Sequence, residues 1–161
     1  MKAIKIFSVC SLIFCASLSQ AQLVKKPDPP VKATFVPAEN AKAGTVIEAR
    51  IDVEIQKDWH LFSEKPEVPG VTPTKIQFDD SETYTVKKIS FPKPTPVYSD
   101  VFQKNLSFYE NKISIPVEIE LKSDAKGDVK IKGNLHYQSC SKIVCLPPTN
   151  LPITGIQKIN G

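Results

Sequence analysis

The stretch "VIEARIDVEI", residues 46–55, alternates apolar and polar side chains through its whole length. Ile47, Ala49, Ile51, Val53 and Ile55 share one face, and Glu48, Arg50, Asp52 and Glu54 share the other. A period of two is the signature of a β-strand with one buried and one solvated face. The pattern recurs in "KISIPVEIEL" (112–121), where Ile113, Ile115, Val117, Ile119 and Leu121 point one way. It recurs again in "DVKIKGNLHY" (128–137), with Val129, Ile131, Leu135 and Tyr137 inward and Lys130, Lys132, Asn134 and His136 outward. Pro116 lies on the outward face and cannot donate a ladder bond, which predicts an edge position or a bulge there. Shorter candidate strands are 33–36, 59–63, 74–78, 84–91, 106–109 and 151–159. No stretch sustains a 3.6-residue period. Several short strands separated by turn residues predict an all-β antiparallel sandwich. "PGVTP" (69–73) and "FPKPTPVYSDVF" (91–102) read as long non-strand segments, where binding function tends to sit.

The first residues set the compartment. Lys2 and Lys5 precede an apolar run from Ile6 to Leu18, and Ser19-Gln20-Ala21 places small residues where a signal peptidase reads. A secretory signal peptide over 1–21, cut after Ala21, is expected, and its apolar run is too short for a stable membrane anchor. Val9 and Phe14 precede Cys10 and Cys15 where lipidation would want a small residue. Removing 21 of the 161 residues leaves 140, a single domain, and lowers the net charge from +4 to +2 as Lys2 and Lys5 leave. So small a charge predicts neither nucleic-acid nor membrane-surface binding. Residues 22–32, "QLVKKPDPPVK", read as a flexible lead-in to a domain over 33–161.

Export leaves two cysteines, Cys140 and Cys145, within "HYQSCSKIVCLPP" (136–148). An oxidising compartment lets such a pair form a disulfide. A loop of about six residues closed this way stabilises by roughly 2 kcal/mol, against about 4.7 for a 100-residue loop. A local disulfide in a turn is also accessible to a partner thiolate. Spacing alone leaves staple and redox pair open. A zinc or copper site would draw on His136, Cys140 and Cys145, with distant His60 as a fourth ligand. No nucleophile elbow, phosphate-cradling glycine loop or His-Glu-x-x-His is present. Asp79-Asp80 reads as a solvated turn.

The segment "YQSCSKIVCLPP" resembles the signature of the amino-terminal periplasmic domain of DsbD, the thiol–disulfide interchange protein. There a Tyr-Gln pair leads into the first redox cysteine, and an apolar residue and Pro-Pro follow the second. "KDWHLFSEK" (57–65) is similar to the family's aromatic strand. "FPKPTPVYSDVFQKNLSFYENKISIPVEI" (91–119) is similar to its cap loop and the next strand. The resemblance runs from about residue 33 to 159.

It implies an immunoglobulin-like sandwich with a redox disulfide in a hairpin. Electrons would pass from a membrane-embedded thiol reductase to oxidised thioredoxin-like clients, as in a protein-disulfide reductase, with no small-molecule cofactor. The resemblance puts Phe102 over the cysteines as a cap, with Asp100 beside it. Tyr137 and Gln138 belong to the motif, and Trp59 and Phe62 line the site. Cys140 is expected to be the client-facing nucleophile; Lys142, whose charge would lower the pKa of a thiol beside it, reads first as a solvated loop lysine. This chain departs from the family pattern in three places. It has one residue fewer between the cysteines, Val101 where an acidic residue is usual, and His60 where an aromatic is common. It ends at Gly161 with neither a membrane domain nor a carboxy-terminal thioredoxin domain, so the donor is expected to be a separate protein.

Overall fold

A computed structural model describes residues 29–99 and 102–160. In chain order its strands are β1 (Val31–Val36), β2 (Val46–Ile55), β3 (His60–Phe62), β4 (Lys75–Phe78), β5 (Tyr84–Ile89) and β6 (Thr95–Ser99). They continue with β7 (Lys104–Glu110), β8 (Lys112–Leu121), β9 (Asp128–Tyr137), β10 (Ser139–Cys140) and β11 (Thr149–Lys158). Among the described residues no helix is long and apolar enough to cross a membrane. All pairings are antiparallel and form three sheets: β1-β2-β8-β5, β11-β9-β4 and β10-β3-β7-β6.

The alternating residues build the core of an immunoglobulin-like sandwich. Ile51 and Val53 of β2, Ile115, Val117 and Ile119 of β8, and Ile131 and Leu135 of β9 are fully buried in one cluster. Each such side chain contributes about 1.5–3 kcal/mol by leaving water. Packing is close enough to demand glycine at one sheet position. A Cβ on Gly133 of β9 would lie 2.6 Å from the backbone oxygen of Gln77 on β4.

Three local expectations are corrected. β8 is neither an edge strand nor bulged at Pro116; it lies between β2 and β5, and the register shift falls in β5 between Val86 and Lys88. The proline is tolerated because its carbonyl accepts from Ser90 N, just beyond the end of β5. In a strand the N–H and C=O of one residue point to the same side. The missing donor therefore faces a neighbour whose ladder has already finished. Second, residues 95–99 of the expected non-strand segment form β6. This is an edge strand, and Pro96 stands opposite Ser107 of β7. Both Ser107 backbone groups point away from β6, the oxygen to Ser63 N and the N–H to Glu67. Pro96 consequently forfeits no ladder bond. Third, β1 begins at Val31, inside the stretch read as lead-in; Val31 is 3% exposed, and its place opposite Ile55 extends the ladder.

The β10-β3-β7-β6 sheet positions the cysteines. Its alternation sends Leu61 and Tyr109 into the main core and Phe62, Leu106 and Phe108 to the opposite face. There they form a second, smaller apolar cluster with Val68 and Cys140.

Candidate functional site

β10 pairs with β3, placing Ser139 opposite Leu61 and Cys140 opposite His60. The chain then reverses over Ser141–Val144. Ser141 N donates to the Val144 carbonyl at 2.8 Å. The Ser141 hydroxyl oxygen accepts from Ile143 N and Val144 N at 3.2 and 3.1 Å. A serine side chain capping its own turn in this way is a common device of short loops. The reversal brings Cys145 opposite Cys140 as an isolated bridge, with Cα atoms 4.0 Å apart and the sulfurs joined in a disulfide. Leu146 N closes the return limb on the Ser139 carbonyl at 2.9 Å.

Gln138 straps this hairpin to the rest of the domain. Its amide nitrogen donates to the Leu146 carbonyl at 3.2 Å, and its oxygen accepts from Thr72 N at 3.3 Å. The segment containing Thr72 is pinned in turn. Thr74 donates to the Phe62 carbonyl at 2.6 Å, and Ser107 donates from N–H and hydroxyl to the Glu67 carboxylate. Burial alone would raise the Glu67 carboxyl, but these Ser107 bonds, with Lys104 nearby, hold it below its usual range.

Above the outer face of the sheet lies an open cleft of about 690 Å³. His60, Phe62 and Leu106 contribute to its floor, and the 141–144 turn and Phe102 border it. The two cysteines meet solvent unequally: Cys140 is 2% exposed, whereas Cys145 is exposed. Around them stand large apolar side chains left in water, with Tyr98 56%, Phe102 40%, Val144 50% and Ile143 95% exposed. A contiguous group of this kind marks an interaction site more often than an isolated exposed residue does. The His60 ring packs on Phe108 with centroids 4.1 Å apart and a 54° tilt. Burial pushes the His60 imidazole below its usual value, while the charge of Glu110 pulls the other way.

The structure gathers Cys140, Cys145, Phe62 and Phe102 on the cleft. Gln138 sits beneath it, in the hairpin base. Tyr137 is 1% exposed within the main core, where burial raises its phenol. Trp59 is half-buried against that same core and does not line the cleft. Asp100 and Val101 lie outside the described residues, as does the expected signal peptide. Phe108 belongs to the site without having been singled out; it lies in the candidate strand 106–109, on the other face of the sheet from Tyr109. The His136 ring Nδ1 lies 2.7 Å from Asn150 Oδ1 rather than beside the cysteines, and among the described residues no group of three or more His, Cys, Asp or Glu side chains converges.

The family model for thiol:disulfide interchange protein DsbD, N-terminal, matches residues 32–154. The chain belongs to this DsbD N-terminal family. No curated protein matches the chain. Among solved structures it is similar to the N-terminal periplasmic domain of ScsB from Proteus mirabilis, at 21% identity and a TM-score of 0.49. That match covers 77% of this chain but only 43% of the ScsB chain. It is also similar to the Neisseria meningitidis DsbD N-terminal domain in the reduced form, at 18% identity and a TM-score of 0.49, covering 82% of this chain and 94% of that one. A third match is the complex between the DsbD N-terminal and PilB N-terminal domains from Neisseria meningitidis, at 18% identity and a TM-score of 0.45, covering 74% of this chain and 80% of that one.

Proposed function

We propose that this DsbD N-terminal-type domain is a periplasmic electron shuttle, exported by the 1–21 signal peptide. It takes two electrons from a membrane-embedded thiol reductase and hands them to oxidised thioredoxin-like proteins. The observation that carries this reading is the asymmetric placement of the disulfide, one cysteine buried and one exposed, inside an apolar-rimmed cleft. An incoming thiolate needs access to one sulfur and a leaving group on the other. Exposure favours Cys145 as the sulfur that meets partners, which reverses the expectation for Cys140. The donor thiolate attacks the Cys145 sulfur, the Cys140–Cys145 bond breaks, and the electron pair leaves on Cys140. The donor's second thiol then frees Cys145 as the donor becomes a disulfide. Reduced Cys145 attacks the client's disulfide, and Cys140 resolves the mixed disulfide.

Trapping tests the assignment. In the periplasm, a Cys140→Ser variant should accumulate a covalent adduct through Cys145 whose mass identifies a thioredoxin-like client. In a graded glutathione buffer the wild-type pair should be reduced well above the roughly −300 mV typical of structural disulfides. No adduct from either single-cysteine variant, together with a pair that resists reduction, would overturn the proposal.

A further inference from the structure

The buried sulfur raises a proton problem. Cys145 can exchange a proton with water directly, but Cys140 is 2% exposed, and its thiol must lose a proton before it can attack. Among the described residues lining the cleft, His60 is the side chain able to take up a proton near neutral pH. β10 and β3 place it directly opposite Cys140. Facing residues of an antiparallel pair share one side of the sheet, with Cβ atoms about 4.5–5.5 Å apart. The ring packs on Phe108 at the floor of the cleft, with centroids 4.1 Å apart.

The other ionisable groups facing this position are few. Glu110 stands opposite on β7, Lys142 comes from the turn, Tyr98 comes from β6, and Cys140 itself comes from β10. Burial outweighs Glu110 and holds the ring's titration below the ordinary 6.5. The imidazole is therefore neutral near pH 7, with one nitrogen free to accept.

We infer that His60 is the proton acceptor for the Cys140 thiol in the resolving step, an inference that rests on exchange through the Cys140–Cys145 pair. After Cys145 has bonded to a client sulfur, the Cys140 proton passes to the imidazole. The Cys140 sulfur then bonds to the Cys145 sulfur. The Cys145–client bond breaks, and its electron pair leaves on the client sulfur, which takes up a proton from the imidazolium or from water. The domain is oxidised by two electrons, and the client disulfide becomes a dithiol.

Stopped-flow mixing of the fully reduced domain with 5,5′-dithiobis(2-nitrobenzoate) separates the two steps. The first thiolate is released as Cys145 attacks, and the second as Cys140 resolves. In the wild type the second phase should slow as pH falls through the His60 titration below 6.5. In H60F, which keeps a ring on Phe108, the second phase near pH 7 should drop about tenfold or more and lose that inflection, while the first phase is retained. Equal second-phase rates and pH profiles in the two proteins would overturn the role of His60 and leave exchange standing. No second phase in the wild type would instead overturn exchange itself. Proton NMR of the unaltered protein gives an independent reading. The His60 titration should shift between the oxidised and reduced forms, and identical titrations in both would overturn the inference.

Discussion

The two faces of the β10-β3-β7-β6 sheet are built from the same kinds of residue and end in different states. On the inner face Leu61 and Tyr109 disappear into a core supplied from the other sheets, at 0% and 2% exposure. On the outer face Phe62 and Phe108 are covered almost as well, but by a loop residue, Val68, and by one half of a disulfide. Among the described residues no further sheet lies over them, and the rim at Tyr98, Phe102, Ile143 and Val144 is exposed. Apolar side chains on both faces of an antiparallel sheet thus divide labour here. One face holds the fold, and the other leaves a small unfinished core around the disulfide.

That contrast can be broken most forcefully from the inside. Ile115→Ala should cost about 2–5 kcal/mol in denaturant unfolding, because Ile115 is fully buried and its cavity cannot collapse freely. The reduction potential of the disulfide should stay put; a shifted potential would mean that the two faces are coupled. A smaller effect is expected where polar groups hold the outer layer. Glu67→Gln removes the charged acceptor of Ser107, and at this exposed position should cost less than about 1 kcal/mol. Glu67 titrates lower in the folded state than its ordinary 4.5. Its contribution is therefore present above 4.5 and fades as pH falls through the depressed value, so melts compared across that range should converge for the two proteins. The least effect on stability belongs to Phe102→Ala, within about 0.5 kcal/mol. Small thiols should nevertheless reduce the disulfide faster in that variant, and an unchanged rate would remove Phe102 from any shielding role.

The sequence was most readable where one physical rule acted alone. In β2, β8 and β9 the period of two named the inward residues, and the burial pattern follows it. Proline misled in both directions, because its cost depends on which side of the strand the lost N–H would face. Pro116 sits in a central strand opposite a neighbour that has already ended, and Pro96 sits on an edge. Neither fact is local to the residue. The same is true of the cysteines. Within "SCSKIVC" the two thiols have similar neighbours, and only the pairing of β10 with β3, far back in the chain, decides which one is buried. Trp59 and Tyr137 flank site residues in sequence, yet they point into the main core.

The strapping of the hairpin has a consequence for traffic in both directions. The turn is closed by Ser141, the return limb by Leu146, and the base by Gln138, and none of these hydrogen bonds involves sulfur. Opening the disulfide therefore leaves the surrounding backbone with its own reasons to stay where it is. If the pair exchanges as proposed, the hairpin is expected to keep its backbone conformation in both redox states. In the proposed shuttle, the direction of flow would then be set by the partners on either side and not by the hairpin.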